Sequence, residues 1–324
     1  MESSKTAAPR RAGVTAVHSL HRFAFSVPDL DKAIDFYDAF GLDVRRAGDR
    51  IDLYTFGHPH RWGSVYRGDG PKRMEYWSFA AYPDDFDAIV KRLNALRVPL
   101  TEPHRFADED GVWFKDAEGI AVQLVAAEKC SPCDKELLRS VAPAAGKGAA
   151  PSRSQLGAVH PRRLSHVLLF TSDVKRSLRF YSDALGLRLS DHSGDLIAFM
   201  HGAHASDHHM IAFAKSDGPG LHHSSWDVAT IDDVGIGMQR MIERGYPNGW
   251  GVGRHVIGSN YFRYVMDPWG SFAEYSYDID FIPADVEWRA GDHAPEDSFY
   301  VWGPPVPDYF IVNHETAARQ QKAA

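Results

Sequence analysis

Short apolar runs alternate with amphipathic stretches along this chain, and the alternation comes back on itself. Residues 23–44, FAFSVPDLDKAIDFYDAFGLDV, read as a buried strand, an Asp-bearing turn, a helix carrying Phe-Tyr, and a Gly-Leu stop before another strand. Residues 167–189, VLLFTSDVKRSLRFYSDALGLRL, repeat that order. A second unit repeats as well. WSFAAYPDDFDAIVKRLNALRVPL (77–100) parallels SSWDVATIDDVGIGMQRMIERGYP (224–247), each a strand running into an Asp-Asp-initiated helix with a Gly- or Pro-marked exit. VWFKDAEGIAVQLV and RYVMDPWGSFAEYSY each place two strands around an Asp-x-x-Gly turn, as in a hairpin. Strand, helix and several strands thus recur four times in two halves.

The pattern predicts an α+β fold of two domains, each a pair of βαβββ modules. An N-terminal domain is expected over 15–128 and a C-terminal one over 160–280, joined by a linker over 129–159 rich in Ala, Gly, Pro and Ser. Residues 1–14 read as a loose polar arm. The extension over 281–324 is too aromatic for a disordered tail and too Pro-rich for a helix. It is expected to fold over a cavity mouth as a lid, with the terminal HETAARQQKAA frayed.

Composition narrows the class. At 324 residues, with 44% hydrophobic and 24% charged, the chain is long enough for two cores. Its net charge of −7 lacks the basic stripe of a nucleic-acid or membrane-surface binder. No apolar run approaches a membrane span, and residues 1–14 lack a signal-peptide core, so the cytoplasm is the expected location. The cysteines, Cys130 and Cys133, form one CxxC pair in the linker, too few thiolates for a four-thiolate zinc site. They read as incidental thiols, with a local disulfide or weak metal binding left open.

Candidate chemistry gathers in the C-terminal half. His166 falls in its first strand, His223 in the strand before its second helix, and Glu274 in the strand after DPWG. Two imidazoles and a carboxylate on one face, with open positions beside them, suit Fe(II) and also Mn(II). The N-terminal half acts as an internal control. Aligning its helices and turns sets Arg22, Glu75 and Gln123 opposite the three, with His21 one residue out of phase. That set does not bind ferrous iron, so the half is expected to be a non-catalytic twin. His192, His201 and His204 read as surface loop residues, and DPWG as a turn that positions Glu274.

The stretch GRHVIGSNYFRYVMDPWGSFAE, residues 253–274, resembles the signature of type I extradiol ring-cleavage dioxygenases of the vicinal oxygen chelate superfamily. It departs at Arg263, where that family has an apolar residue. The resemblance implies His166, His223 and Glu274 as metal ligands, with His223 rather than His222 chosen from the doublet. It implies His209, rather than His208, as the acid–base residue, and His255 and Tyr264 as hydrogen-bonders to substrate oxygen. Phe199 and Trp250 are placed in the substrate pocket. The implied cofactor is Fe(II), alternatively Mn(II), and the implied partners are a catechol and O2. The implied reaction opens the ring beside the diol to a hydroxymuconic semialdehyde-type product. Trp250, standing where acid-selective relatives carry an Arg, favours a neutral catechol, although Arg254 and Arg263 keep a carboxylate-bearing one open. A homo-oligomer, dimer or tetramer, follows by family habit. Two readings compete: a non-oxidative member of the superfamily, such as a glyoxalase-like isomerase or thiol transferase, and a non-enzymatic aromatic-binding protein.

Overall fold

The structure is a computed structural model describing residues 10–135 and 144–317. Its first sheet contains β1 (Ser19–Val27), β2 (Asp43–Ala47), β3 (Arg50–Tyr54), β4 (Gly63–Arg67), β5 (Arg73–Ala81), β6 (Leu100–Thr101), β7 (Val112–Lys115) and β8 (Ala121–Ala126). They lie in the order β2-β3-β4-β1-β5-β8-β7-β6. The C-terminal half contributes β9 (Arg163–Thr171), β10 (Arg188–Ser193), β11 (Ile197–His201), β12 (Ser206–Asp207), β13 (Ile211–Lys215) and β14 (Gly220–Asp227). It continues with β15 (Gly249–His255), β16 (Tyr261–Met266), β17 (Phe272–Tyr277), β18 (Phe281–Ile282), β19 (Gly291–Asp292) and β20 (Tyr300–Trp302). The second sheet runs β19-β10-β11-β13-β9-β14-β17-β16-β15-β20, while β12 and β18 pair separately.

Four helices follow the duplicated pattern: α1 (Leu30–Phe40), α2 (Pro83–Ala95), α3 (Val174–Leu185) and α4 (Ile231–Glu243). None is long and apolar enough to cross a membrane. Asp29 caps α1 and Asp173 caps α3 through their carboxylates, and α4 starts with a Thr230/Asp233 capping box. α1 buries Leu30, Ala33, Phe36, Tyr37 and Phe40, the spacing of one helix face. Gly41 and Gly186 end α1 and α3 with φ of 97° and 75°. A Cβ at Gly41 would lie 2.0 Å from the Val159 carbonyl, and one at Gly186 2.9 Å from that of Thr15. Each first helix therefore stops where the segment entering the other half crosses it.

The halves share one core. Trp77 and Phe79 of β5 meet Tyr181 of α3, and Trp77 also meets Phe213 of β13. Phe40 stacks on Tyr275 at 3.9 Å, and Phe23 and Trp226 belong to the same continuous cluster. Polar ties cross beside it. Lys72 pairs with Asp267, both buried, and the other oxygen of Asp267 accepts the Trp269 and Ser271 amides of the DPWG turn.

Three expectations need correction. The final segment does not fray at its start: His314–Ala317 is helical, and buried Glu315 accepts the amides of Met74 at 3.0 Å and Leu221 at 2.7 Å. Those amides sit next to irregularities in the β1–β5 and β9–β14 ladders, where a carboxylate satisfies donors the sheet leaves out. Residues 318–324 lie outside the described residues. Within the arm, Arg10 is not loose but bridges Asp84 and Asp85, while residues 1–9 are not described. His201 and His204 are buried rather than on the surface; His201 lies in β11 against Ser190 Oγ, and His204 takes the Arg11 amide. Tertiary packing of the arm and of β10 covers positions that look like loop polar residues in sequence.

Removing one member of a buried ion pair leaves the other charged without a partner. Lys72→Ala is therefore expected to lower unfolding free energy by about 3–5 kcal/mol in urea titrations, with Lys72→Met/Asp267→Asn recovering most of the loss. Burial also lowers His18 and His201 to about 3. Unfolded imidazoles take a proton near 6.5 that these folded ones refuse, so stability is lost as pH falls from about 6.5 toward 3. The Tm is expected to drop across that window, and His201→Gln to flatten the drop.

Candidate metal centre and active site

Three adjacent strands of the second sheet carry the three candidate ligands. His166 on β9 and Glu274 on β17 both stand beside Ser225 on the intervening β14, and His223 lies two residues before Ser225. Alternation along β14 puts His223 and Ser225 on one face. The ligand atoms of the three side chains all lie within 4.8 Å of one another. His166 Nε2 is 3.3 Å, and His223 Nε2 3.7 Å, from Glu274 Oε2. All three residues are at most 3% exposed, yet His223 Nε2 and Glu274 Oε2 have no hydrogen-bond partner. A native core rarely leaves such atoms unpaired. Their convergence fits a divalent cation.

The imidazoles are aimed by what holds their other nitrogens. His222 Nε2 donates to the Phe310 carbonyl at 2.8 Å, which leaves His222 Nδ1 as an acceptor. His223 Nδ1–H donates to it at 2.6 Å, so His223 Nε2 carries its lone pair toward the centre. Ser165 Oγ donates to Asp207, accepts from His166 Nδ1–H at 3.3 Å, and frees His166 Nε2 in the same way. Glu274 Oε1 accepts from Asn260 Nδ2 at 3.2 Å, turning Oε2 inward. Burial by itself would raise the Glu274 carboxyl, but the close imidazoles of His166, His255 and His223 carry it well below the usual range. Burial lowers His222 to about 4. The donor set is two imidazole nitrogens and one carboxylate, the set that leaves an oxygen-loving or iron-type metal with open positions.

The second doublet repeats the device. His208 Nε2 donates to Asp191 at 2.7 Å, and His208 Nδ1 accepts from His209 Nδ1–H at 3.0 Å. His209 Nε2 is left free toward the cavity. Desolvation and the neighbouring imidazoles hold His209 well below its ordinary pKa, so its ring is neutral there. On another wall, His255 Nδ1–H donates to the Phe299 carbonyl at 2.7 Å, and its Nε2 accepts from the Tyr264 hydroxyl at 3.0 Å.

These groups line one cavity of about 330 Å³, together with Phe199 and Trp250. Every site residue named from the sequence is on this cavity except Glu274, which sits fully buried behind His166 and His223. Sequence reasoning missed His222 and His208 as orienting groups and Asn260 against Glu274. Pro295, Ser298, Phe299, Phe310 and Ile311 all face the cavity, and β20 extends the sheet at β15. The doublets were a visible signal, whereas the Phe310 carbonyl lies far along the chain and had none. Arg263 points away from the site. Its guanidinium donates to the Gly251 and Pro247 carbonyls.

In the N-terminal half Arg22 and Gln123 flank Ser78 as His166 and Glu274 flank Ser225. Register then sets Tyr76, not Glu75, opposite His223; Glu75 falls opposite His222, both residues skipped at a ladder irregularity. The slip arises because the run from Ser225 to Asp232 is one residue longer than that from Ser78 to Asp84. Arg22 is bound by Asp108 and Glu109, and Asp108 also by Arg50 and Arg61. An ion-pair network fills the place that holds open nitrogens and an open carboxylate in the other half.

Residues 19–124 and 163–275 match the Glyoxalase/Bleomycin resistance protein/Dioxygenase superfamily, and the chain belongs to it. It is 50% identical to metapyrocatechase 2 of Cupriavidus necator over 97% of both chains. The fold is similar to that of the Mn(II)-bound glyoxalase from Novosphingobium aromaticivorans (TM-score 0.72, 23% identity, 91% of this chain and 94% of that one). It is equally similar to a single-residue mutant of homoprotocatechuate 2,3-dioxygenase from Brevibacterium fuscum (TM-score 0.72, 20% identity, 95% and 84% covered). A glyoxalase and a dioxygenase share this fold, so the reaction has to be argued from the site.

If His222 aims His223, His222→Phe keeps every ligand but loses the orienting bond. Its metal affinity, measured by competition with a chelator, is expected to fall by about 10–100-fold.

Proposed function

We propose that this chain opens a catechol ring beside its diol with O2, as an extradiol dioxygenase, using Fe(II) or alternatively Mn(II) held by His166, His223 and Glu274. The observation that carries the reading is the pair of unpartnered buried atoms, His223 Nε2 and Glu274 Oε2, converging next to a cavity that also holds His209, His255 and Tyr264. A divalent redox metal bound there supplies open coordination positions and an electron path, which a catechol and triplet O2 lack on their own.

The protein's own groups handle protons and charge. His209, neutral and anchored through His208 to Asp191, takes a proton at Nε2 and returns it to the oxygen that needs it. The Tyr264 hydroxyl and His255 stand where they stabilise negative charge on the substrate oxygens as it develops. Phe299 and Phe310 of the extension keep water from the reacting oxygens. Both oxygen atoms end in a hydroxymuconic semialdehyde-type product.

The cavity wall favours a neutral catechol with an alkyl or aryl substituent. Leu168, Phe170, Leu196, Ile197, Phe199 and Ile257 form much of it. Its ammonium, Lys215, is exposed and paired with Asp195. Arg263 is turned away, and Arg254 is spent on the Ser259 carbonyl and the Tyr261 ring. A homo-oligomer remains part of the reading, supported by the exposed apolar side chains Val301 and Trp302 on edge strand β20.

The decisive experiment is anaerobic metal analysis followed by a catechol panel in air, read as oxygen uptake and yellow product. Expected are about one Fe or Mn per chain and no product from His223→Ala. Absence of oxygen uptake after anaerobic iron loading would hand the site to a non-oxidative reaction or to simple aromatic binding. His209→Asn is expected to cut kcat by about 10²–10⁴ with metal content unchanged. Alkyl- or aryl-catechols are expected to exceed carboxylated ones in kcat/KM by about tenfold or more.

A further inference from the structure

A second convergence of metal-type donors lies in the N-terminal half, away from the cavity. His21, on β1, His60, in the connection between β3 and β4, and Cys130, shortly after β8, place one ligand atom each within 4.8 Å of one another. His21 is the residue that the β1–β5 ladder skips, between Leu20 and Arg22. Such irregularities re-aim a side chain.

The nitrogens of both imidazoles are sorted as they are in the C-terminal site. His60 Nε2 donates to the His21 carbonyl at 2.7 Å, so its Nδ1 carries the lone pair. His21 Nε2 faces a carboxylate oxygen of Glu109 at 3.3 Å. The His21 side chain is only 8% exposed, and its Nδ1 is buried without any hydrogen-bond partner. The carboxylate–imidazole–metal order is a common way of orienting a ligating histidine. Cys130 is a free thiol whose Sγ rests 3.8 Å from the Leu20 carbonyl, next to His21. Cys130 and His60 are partly exposed as residues.

We infer that His21, His60 and Cys130 form a second metal site, selective for a thiophilic tetrahedral cation of the Zn(II) type. Two imidazoles and a thiolate are soft for Fe(II) or Mn(II) and suited to Zn(II), with a fourth position left for water. Metal–ligand bonds of about 2.0–2.3 Å require the three donors to close by roughly 1 Å, which the part-exposed His60 and Cys130 can do by rotation. Binding deprotonates the thiol and releases the proton to solvent. The site would tie the start of the linker to the first strand. The same stretch of linker reaches the C-terminal half, where Lys135 Nζ bonds the Asp278 carboxylate at 2.7 Å. Cys133 is not one of the three donors.

The test loads the full-length enzyme with Fe(II) anaerobically and then titrates Co(II) as a spectroscopic stand-in for Zn(II). The C-terminal site holds no thiolate, so a sulfur-to-cobalt charge-transfer band reports this site alone. The band is expected to saturate at about one equivalent, to be displaced by Zn(II), to vanish in Cys130→Ser and to persist in Cys133→Ser. His60→Ala is expected to weaken it by about tenfold or more. Oxygen uptake with catechol and circular dichroism report that Cys130→Ser is folded. A measurement needing no variant runs beside it: Zn(II) should slow modification of one of the two thiols by a disulfide reagent. No charge-transfer band, a band that survives Cys130→Ser, or thiols that react at the same rate with and without Zn(II) would overturn the site.

Discussion

The candidate metal centre depends on hydrogen bonds between sequence-adjacent imidazoles. A buried histidine has two nitrogens to satisfy, and a metal or a proton can use only the one left with a lone pair. In both doublets the upstream ring is pinned at Nε2, by the Phe310 carbonyl or the Asp191 carboxylate, and takes the downstream ring's Nδ1–H. His223 and His209 are thereby each forced to present Nε2 to the cavity. Desolvation keeps these rings neutral, which is the state both metal binding and proton acceptance require.

That constraint draws remote parts of the chain into the site. The acceptor for His222 belongs to the C-terminal extension, so a segment that lines the cavity also aims a candidate ligand. A few residues on, Glu315 holds the amides of Met74 and Leu221, fastening the extension to both halves. Lys72 reaches across from the first half to Asp267, whose turn leads into the strand carrying Glu274. The N-terminal half is therefore a support as well as a twin. Its own corresponding positions are filled by Arg22, Asp108 and Glu109 in an ion-pair network, with Tyr76 where the other half has His223. The two halves keep one strand-and-helix plan and differ in what lines the equivalent surface.

Much of this was legible in the linear pattern. The duplicated strand–helix order, the Asp caps, the glycine stops at Gly41 and Gly186, and the positions of His166, His223 and Glu274 depend on local periodicity and on repetition, and both are properties of the chain itself. The alignment slipped by one residue at Glu75 because an extra residue between Ser225 and Asp232 is invisible when helix starts are taken as the anchor. His201 and His204 look like loop histidines and are buried, since the segments that cover them are distant in sequence.

Fold class and duplicated organisation were already written in the linear chain, because hydrophobic period is encoded locally. Which nitrogen of each histidine is free, which residues of the extension line the cavity and which cations are spent elsewhere emerged only on folding. Those are outcomes of hydrogen-bond satisfaction between groups such as His222 and Phe310, and no local pattern brings such partners together.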